Sequence, residues 1–377
     1  MLATGATFLA ACASRSILPR PRSAAVLNPT LLASTQGATS SPGHAPSDLV
    51  KHIVIVIQEN HTFDSLFANF PGADGQSAGP ACADALPADP PHQHGDALAP
   101  DGATTDAARC SYTESAAPNY WQLAREFALC DRFFSDVRGP SQPNYLMMVA
   151  AQSPIVDSPR PWVRCPNFCL DLPTIVDRLD AAQLTWRDYT GLFSDIRNLA
   201  GRRELTIFDD TSFFRDAANG TLPNVAWLNS EFLRDGDNKS GHPPGSLCQA
   251  ENYAVQVVDA VMSSPQWNAT VLFLAWDDWG GFYDHVEPPT VETLPDGSPL
   301  RYGFRVPCIV VSPYARSGYV SHRTHSFVSL LRFIETVFQL EPLTDRDAQA
   351  SDLLDCFDFA RAPRVPLPLS LRVCGNG

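Results

Sequence analysis

Two short apolar runs in this chain end in oxygen-bearing side chains, and that pairing constrains the fold more than any other feature. His52-Ile-Val-Ile-Val-Ile57 runs straight into Gln58-Glu59-Asn60-His61, and Thr270-Val-Leu-Phe-Leu-Ala275 runs straight into Trp276-Asp277-Asp278. Runs this short and this uninterrupted predict strands buried on both faces, as in a mostly parallel sheet. Open α/β sheets bind ligands in the crevice outside the carboxyl ends of their strands. Adjacent carboxylates repel, and burying them is costly unless a cation or strong donors compensate. Two oxygen-rich strand tips therefore predict a single site that holds a metal ion.

The remaining chain fits that scaffold. Further strands are predicted at Ala128 to Ser135, Leu184 to Tyr189, Asn224 to Leu228 and Val306 to Ser312. Helices are predicted at Tyr120 to Glu126, Pro143 to Ala151, Leu172 to Ala182, Glu251 to Ser263 and Ser326 to Phe338. In the last of these, Phe327, Leu330, Leu331, Ile334 and Phe338 recur at intervals of three and four, the stripe of a surface helix. Short strands alternating with such helices specify an α/β fold, a central mostly parallel sheet flanked by helices. Gly72 to Cys110 and Asp235 to Ser246 read as long loops of the kind that wall a pocket.

Composition limits what the chain does. With 377 residues, 44% of them apolar and 18% charged, it can bury a large core. A net charge of −14 argues against nucleic-acid partners and against broad docking on anionic lipid. At the start, Leu2 to Ala13 is apolar, too short to span a bilayer, and contains Leu9-Ala-Ala-Cys12, similar to a bacterial lipobox. A Ser/Pro/Ala-rich stretch follows from Ser14 to Ser47 and reads as a tether. Export is thus expected, to the periplasm or the extracellular space, or with a lipid anchor at Cys12. The competing reading is a chance cysteine in an apolar leader. Besides Cys12 there are nine cysteines, so at least one is expected unpaired. Cys82 with Cys110, Cys165 with Cys169, and Cys356 with Cys374 are the sequence-local candidates for bridges, while Cys130 and Cys308 read as buried thiols. Zinc binding by these cysteines is disfavoured, because no pair of CxxC motifs is present.

Gly139-Pro-Ser-Gln-Pro-Asn144 lies between a predicted strand and a predicted helix. The plain reading of Ser141 is an N-cap, with Pro143 in the first turn. The competing reading uses the helix N-terminus as a phosphate cradle and the hydroxyl, beside a metal, as a nucleophile.

Five segments, in order, carry a resemblance: Gln58-Glu-Asn-His-Thr-Phe-Asp64, Gly139-Pro-Ser-Gln-Pro-Asn144, Gly241-His-Pro-Pro244, Gly280-Gly-Phe-Tyr-Asp-His-Val-Glu-Pro-Pro289 and Val306-Pro-Cys-Ile-Val-Val-Ser-Pro-Tyr314. The set resembles the bacterial phosphoesterase family of nonspecific phospholipases C and acid phosphatases, whose fold is alkaline-phosphatase-like. By that resemblance, residues 48–362 form the catalytic domain after a signal or lipobox-like segment at 1–13 and a linker at 14–47, with a C-terminal tail at 363–377. It implies one divalent metal ion of unassigned identity held by Glu59, Asn60, Asp277 and Asp278. Ser141 would be the nucleophile, touching the metal and passing through a phosphoserine. His242 is the first candidate for protonating the leaving group. One of His92 and His94 would line the pocket. His285, His325 and Asn144 are further site candidates, for each of which a structural role competes. The substrates implied are small phosphate esters or phospholipid head groups.

Other readings compete less well. A catalytically inactive surface lipoprotein that binds phosphorylated ligands has no reason to keep Glu59, Asn60, Ser141, Asp277 and Asp278 together. A sulfatase-like site would need an arginine in the nucleophile motif, and Ser141-Gln-Pro-Asn-Tyr145 has none. A carboxyl-esterase elbow, Gly-x-Ser-x-Gly, is absent. Trp276 and Trp279 read as pocket wall or core, and Arg301, Arg305, Arg316 and Arg323 as solvated or ion-paired.

Overall fold

The two apolar runs are neighbours. In the computed structural model, which describes residues 44–159, 165, 167, 169–206, 209–293 and 297–375, strand β1 (His52–Gln58) pairs in parallel with β6 (Thr270–Trp276), from His52 opposite Thr270 to Gln58 opposite Trp276. That register sets Glu59 and Asp277 side by side as the chain leaves the sheet, and the Asp277 amide donates to the Gln58 carbonyl at 3.1 Å. All seven residues of β6 are buried, as expected of a strand covered on both faces.

Five further strands complete the main sheet: β2 (Ala128–Cys130), β4 (Trp186–Asp188), β5 (Val225–Asn229), β9 (Cys308–Val311) and β10 (Tyr319–Ser321). Their order is β10-β2-β9-β6-β1-β5-β4. Only β9 runs against its neighbours, antiparallel to both β2 and β6. The α/β class and the mostly parallel sheet are therefore as predicted. Helices cover the sheet: Ser141–Ala150 packs on Phe327–Phe338, while Leu247–Met262 packs on Pro118–Glu126 and Thr211–Asn219. Among the described residues no helix is long and apolar enough to cross a membrane. The expected leader with Cys12 and most of the linker lie outside the described residues.

The structure corrects several boundaries. The predicted strand Ala128 to Ser135 breaks after Cys130, and β3 (Phe133–Phe134) pairs instead with β11 (His325–Ser326) in a separate ribbon. The bend falls at Asp131, whose carboxylate accepts from the Asp74 amide and from His322 Nδ1, both at 2.8 Å. The hairpin of β7 (Thr290–Thr293) and β8 (Pro299–Arg301) is too polar to announce itself. The helix expected from Glu251 begins at Leu247, because Ser246 caps it by accepting from the Gln249 amide at 3.2 Å.

Cysteine pairing also needs one correction. Cys82–Cys110 and Cys165–Cys169 form as expected, but Cys374 bonds Cys248, and Cys356 is a buried thiol with Cys130 and Cys308. The cause is the path of the last residues, which run back along the Leu247–Met262 helix. Arg372 donates to Glu251 Oε2 at 2.8 Å, and its carbonyl accepts from Asn252 at 2.9 Å.

Candidate active site

Ser141 is the first residue of its helix, and Pro140 occupies the cap position. The hydroxyl makes no capping bond; it reaches Glu59 Oε2 and Asp278 Oδ2, each at 3.4 Å. The cap reading therefore fails, and three segments predicted to converge do so. Asn144 explains how the loop before Ser141 is held. Its Oδ1 accepts from the Asp136 and Val137 amides at 3.0 and 2.9 Å, and its Nδ2 faces the carbonyls of Val137, Gly139 and Pro140. Its amide is fully committed to bracing residues 136–140, so it positions Ser141 and has nothing left for a ligand.

At the β1 tip, Glu59 is buried and its Oε1 accepts from the Tyr145 hydroxyl and from Asn229 Nδ2 at 3.2 Å. Both donors sit on Oε1, which leaves Oε2 turned toward Ser141. Asn60 takes a left-handed backbone at φ 56, tolerable for asparagine, and its backbone N–H ties down the β6 tip by donating to Asp277 Oδ1 at 3.0 Å. Its side-chain nitrogen meets His92 Nε2 at 3.4 Å. His92 Nδ1 is 2.7 Å from the Pro90 carbonyl and must carry the proton there, so Nε2 accepts and the Asn60 Oδ1 is turned the other way. Gly280, at φ 56, caps the arrangement: a Cβ there would fall 2.4 Å from the Asn60 Cβ, so only glycine lets the two tips approach.

Two oxygens in this nest, Asn60 Oδ1 and Asp277 Oδ2, are buried without a hydrogen-bond partner. Burial, with the Asp277 and Glu231 charges, pushes the Glu59 carboxyl well above its usual range; burial and Asp277 do the same to Asp278. Orphaned oxygens and mutually repelling buried carboxylates are what a hard divalent cation would relieve. The donor set of Glu59, Asn60, Asp277, Asp278 and Ser141 fits such an ion.

The histidines separate cleanly. His92 is the one at the site; His94 turns away and contacts the Arg138 carbonyl. His242 sits beside His92, ring centroids 5.9 Å apart, and ligand atoms of Asp89, His92 and His242 lie within 4.8 Å of one another. Its Nδ1 is 2.8 Å from its neighbour Pro243's carbonyl, which leaves Nε2 as the working nitrogen. Burial opposes charging of this ring, but the Glu231 and Asp89 carboxylates overcome it and raise its pKa. His285 belongs elsewhere. Its Nδ1 is 2.6 Å from Asp64 Oδ2, in a buried network where Arg305 holds Asp64 at 3.0 Å and Asp284 at 2.8 Å. That network ties the segment after Asn60 to the segment after Asp278, so His285 braces the site from behind. His325 is buried in β11 of the separate ribbon, with Ser321 Oγ 3.0 Å from its Nε2. Of the described contacts, none joins it to Ser141 or the carboxylates.

Tyr145, Asn229, Glu231 and Asp89 were not singled out from sequence, although two of them had a signal. Tyr145 is four residues beyond Ser141 on one helix, hence on the same face. Asn229 ends β5 beside β1, so the strand-tip rule that selects Glu59 also selects it.

Comparison with known proteins gives the family. The profile of the Phosphoesterase family matches residues 94–341, about two thirds of the chain. Non-specific phospholipase C6 of Arabidopsis thaliana is 29% identical over 411 residues, covering 89% of this chain and 78% of its own. Phospholipase C B of Mycobacterium tuberculosis is 27% identical over 436 residues, covering 88% and 82%. Among solved structures, a protein in the alkaline phosphatase superfamily from Vibrio parahaemolyticus superposes with a TM-score of 0.45 at 13% identity over 83% of this chain and 72% of that one. With the profile spanning the Ser141 and Asp277-Asp278 segments that close on one another here, the chain belongs to the Phosphoesterase family and is a hydrolase of phosphoric esters.

Proposed function

We propose that hydrolysis runs through Ser141 and a phosphoserine, with one divalent cation held by Glu59, Asn60, Asp277, Asp278 and the Ser141 oxygen. The observation that carries this reading is the Ser141 hydroxyl shared between Glu59 and Asp278 at 3.4 Å, beside two buried oxygens that no protein donor reaches. Bound there, a divalent cation polarises the phosphoryl oxygen and lowers the pKa of the serine hydroxyl.

The chain's own groups account for the remaining chemistry. Ser141 Oγ, its proton released to solvent, attacks phosphorus; the P–O bond to the alcohol breaks and His242 Nε2 gives its proton to the departing oxygen. Water then attacks the phosphoserine and passes one proton to His242, and the P–O bond to Ser141 breaks, its oxygen taking a proton back from solvent. Tyr145 and Asn229 hold Glu59 in one orientation, while Asn144 fixes the loop that presents Ser141. The ten-residue Ser141–Ala150 helix points its positive end at the reacting phosphate.

The substrates are phosphate esters, either small monoesters or phospholipid head groups, and the enzyme acts after export; the Leu9-Ala-Ala-Cys12 motif supports a lipid anchor. The test compares p-nitrophenyl phosphate, bis-p-nitrophenyl phosphate and p-nitrophenylphosphorylcholine, with and without chelator, for the native chain and Ser141→Ala. Loss of turnover in both treatments is expected. Turnover that survives chelation and the substitution removes the mechanism, and a marked preference for the choline ester assigns the head-group substrate.

A further inference from the structure

Three cysteines and a histidine meet in the interior away from Ser141. Cys130 ends β2, Cys356 follows from the chain's last turn of 3-10 helix, and His325 opens β11; all three are buried. The Sγ atoms of Cys130 and Cys356 are 3.7 Å apart. With one ring nitrogen of His325 they form a set whose ligand atoms all lie within 4.8 Å of one another. Tetrahedral coordination with Zn–S bonds of about 2.3 Å sets the sulfurs about 3.8 Å apart. The observed separation matches that spacing, and it is far beyond the roughly 2.05 Å of a disulfide.

The surroundings suit a soft or borderline cation. Cys308, itself a buried free thiol, stands directly opposite Cys130 in the β2–β9 register. His325 Nδ1 is buried with no hydrogen-bond partner, while Nε2 lies 3.0 Å from Ser321 Oγ. Ser321 in turn donates to Asp355 Oδ2 at 2.5 Å, and Asp355 Oδ1 is buried without a partner 3.6 Å from the ring. A carboxylate behind a histidine is the usual way a metal-binding imidazole is oriented. Two thiols, one imidazole and a neighbouring third thiol are a zinc-type donor set, unlike the all-oxygen set at Ser141.

The two centres are distinct. Cys308 pairs with Ala275 of β6 on one side and with Cys130 on the other, so Cys130 stands two strands from the β6 tip. At about 4.8 Å per strand that is on the order of 10 Å.

Against the expectation drawn from the missing CxxC pair, we propose that Cys130, Cys356 and His325 bind one zinc ion, with the remaining free thiol, Cys308, opposite Cys130, as a structural centre that pins the 354–356 segment to the sheet. Binding exchanges each ligating thiol's proton for the metal, so two protons pass to solvent when Cys130 and Cys356 ligate, and a third if Cys308 joins them. The proposal does not depend on the Ser141 mechanism, because its ligands are shared with no residue of that site.

The test uses the full chain produced in medium supplied with Zn2+, or with Co2+ as a spectroscopic probe, followed by dialysis against a chelator that strips the all-oxygen site. We expect one equivalent of metal to remain, and the cobalt form to show a thiolate-to-cobalt charge-transfer band. Asp277→Asn, which damages only the oxygen site, keeps both signals; Cys356→Ser loses both. Should Cys356→Ser fail to fold, the native chain's cobalt spectrum decides alone. Absence of the band in the native chain, its persistence in folded Cys356→Ser, or a mapped Cys130–Cys356 disulfide overturns the proposal.

Discussion

Replacing Arg305 with methionine tests the clasp behind the site. The guanidinium is fully buried, and Nε meets Asp284 Oδ1 at 2.8 Å while one terminal nitrogen meets Asp64 Oδ1 at 3.0 Å. The other donates to the carbonyls of Asp74 and Asp131 at 2.6 and 2.8 Å. Methionine keeps much of the volume but leaves two buried carboxylates without the guanidinium charge and two carbonyls without its donor. Removing one partner of a buried ion pair costs about 3–5 kcal/mol. Protonation limits the loss. Burial already raises the Asp284 pKa to about 6, against the pull of Arg305. A carboxyl whose folded pKa is raised contributes stability at low pH, and that contribution is lost as pH rises through the folded value. Without Arg305 the folded value climbs further, so the variant gains more than the native chain on acidification. Each further unit makes the cost at pH 5 smaller than at pH 8 by about 1 kcal/mol. Urea denaturation followed by tryptophan fluorescence at the two pH values measures this. A cost below about 1 kcal/mol at pH 8, or an equal cost at both pH values, refutes the reasoning.

Three other outcomes follow from the geometry. Tyr145→Phe removes a donor to Glu59 Oε1, so half-saturating metal in an activity titration should rise about 10–100-fold with kcat recovered at high metal; an unchanged midpoint counts against Glu59 as a ligand. Because the His242 pKa is raised and its acid form is the donor, kcat should fall as pH rises through that value. His242→Asn should lower kcat about 10²–10⁴-fold and remove this alkaline limb, and a limb that stays assigns the proton to another group. Cys374→Ser opens a loop of 126 residues, for which chain entropy gives about 5 kcal/mol, so a urea-measured loss under 1 kcal/mol would show the last residues to be energetically idle.

Much of the site was legible because strand tips are local features. Glu59, Asn60, Asp277 and Asp278 follow apolar runs whose length and composition specify buried strands, and the sheet register then does the rest. Ser141 was legible as one of two things, and the structure removes the cap reading by giving the cap position to Pro140. The histidines were not legible in the same way. His92 and His94 differ by two residues on one loop, and which of them faces Asn60 depends on how that loop crosses the site. His285 sits in a strong motif and His325 just before the last helix, yet each is captured by a charge or thiol network made of residues far away in the chain.

Sequence alone determined the α/β class, the two acidic tips and the helix start at Ser141, since apolar period, strand length and helix-start chemistry act over a few residues. Only tertiary structure decided the rest: that Tyr145 and Asn229 share Glu59, that Arg305 joins Asp64 to Asp284, that Cys374 reaches Cys248, and that Cys130, Cys356 and His325 meet. Each of those contacts depends on where the backbone carries residues distant in sequence, and no local pattern encodes that distance.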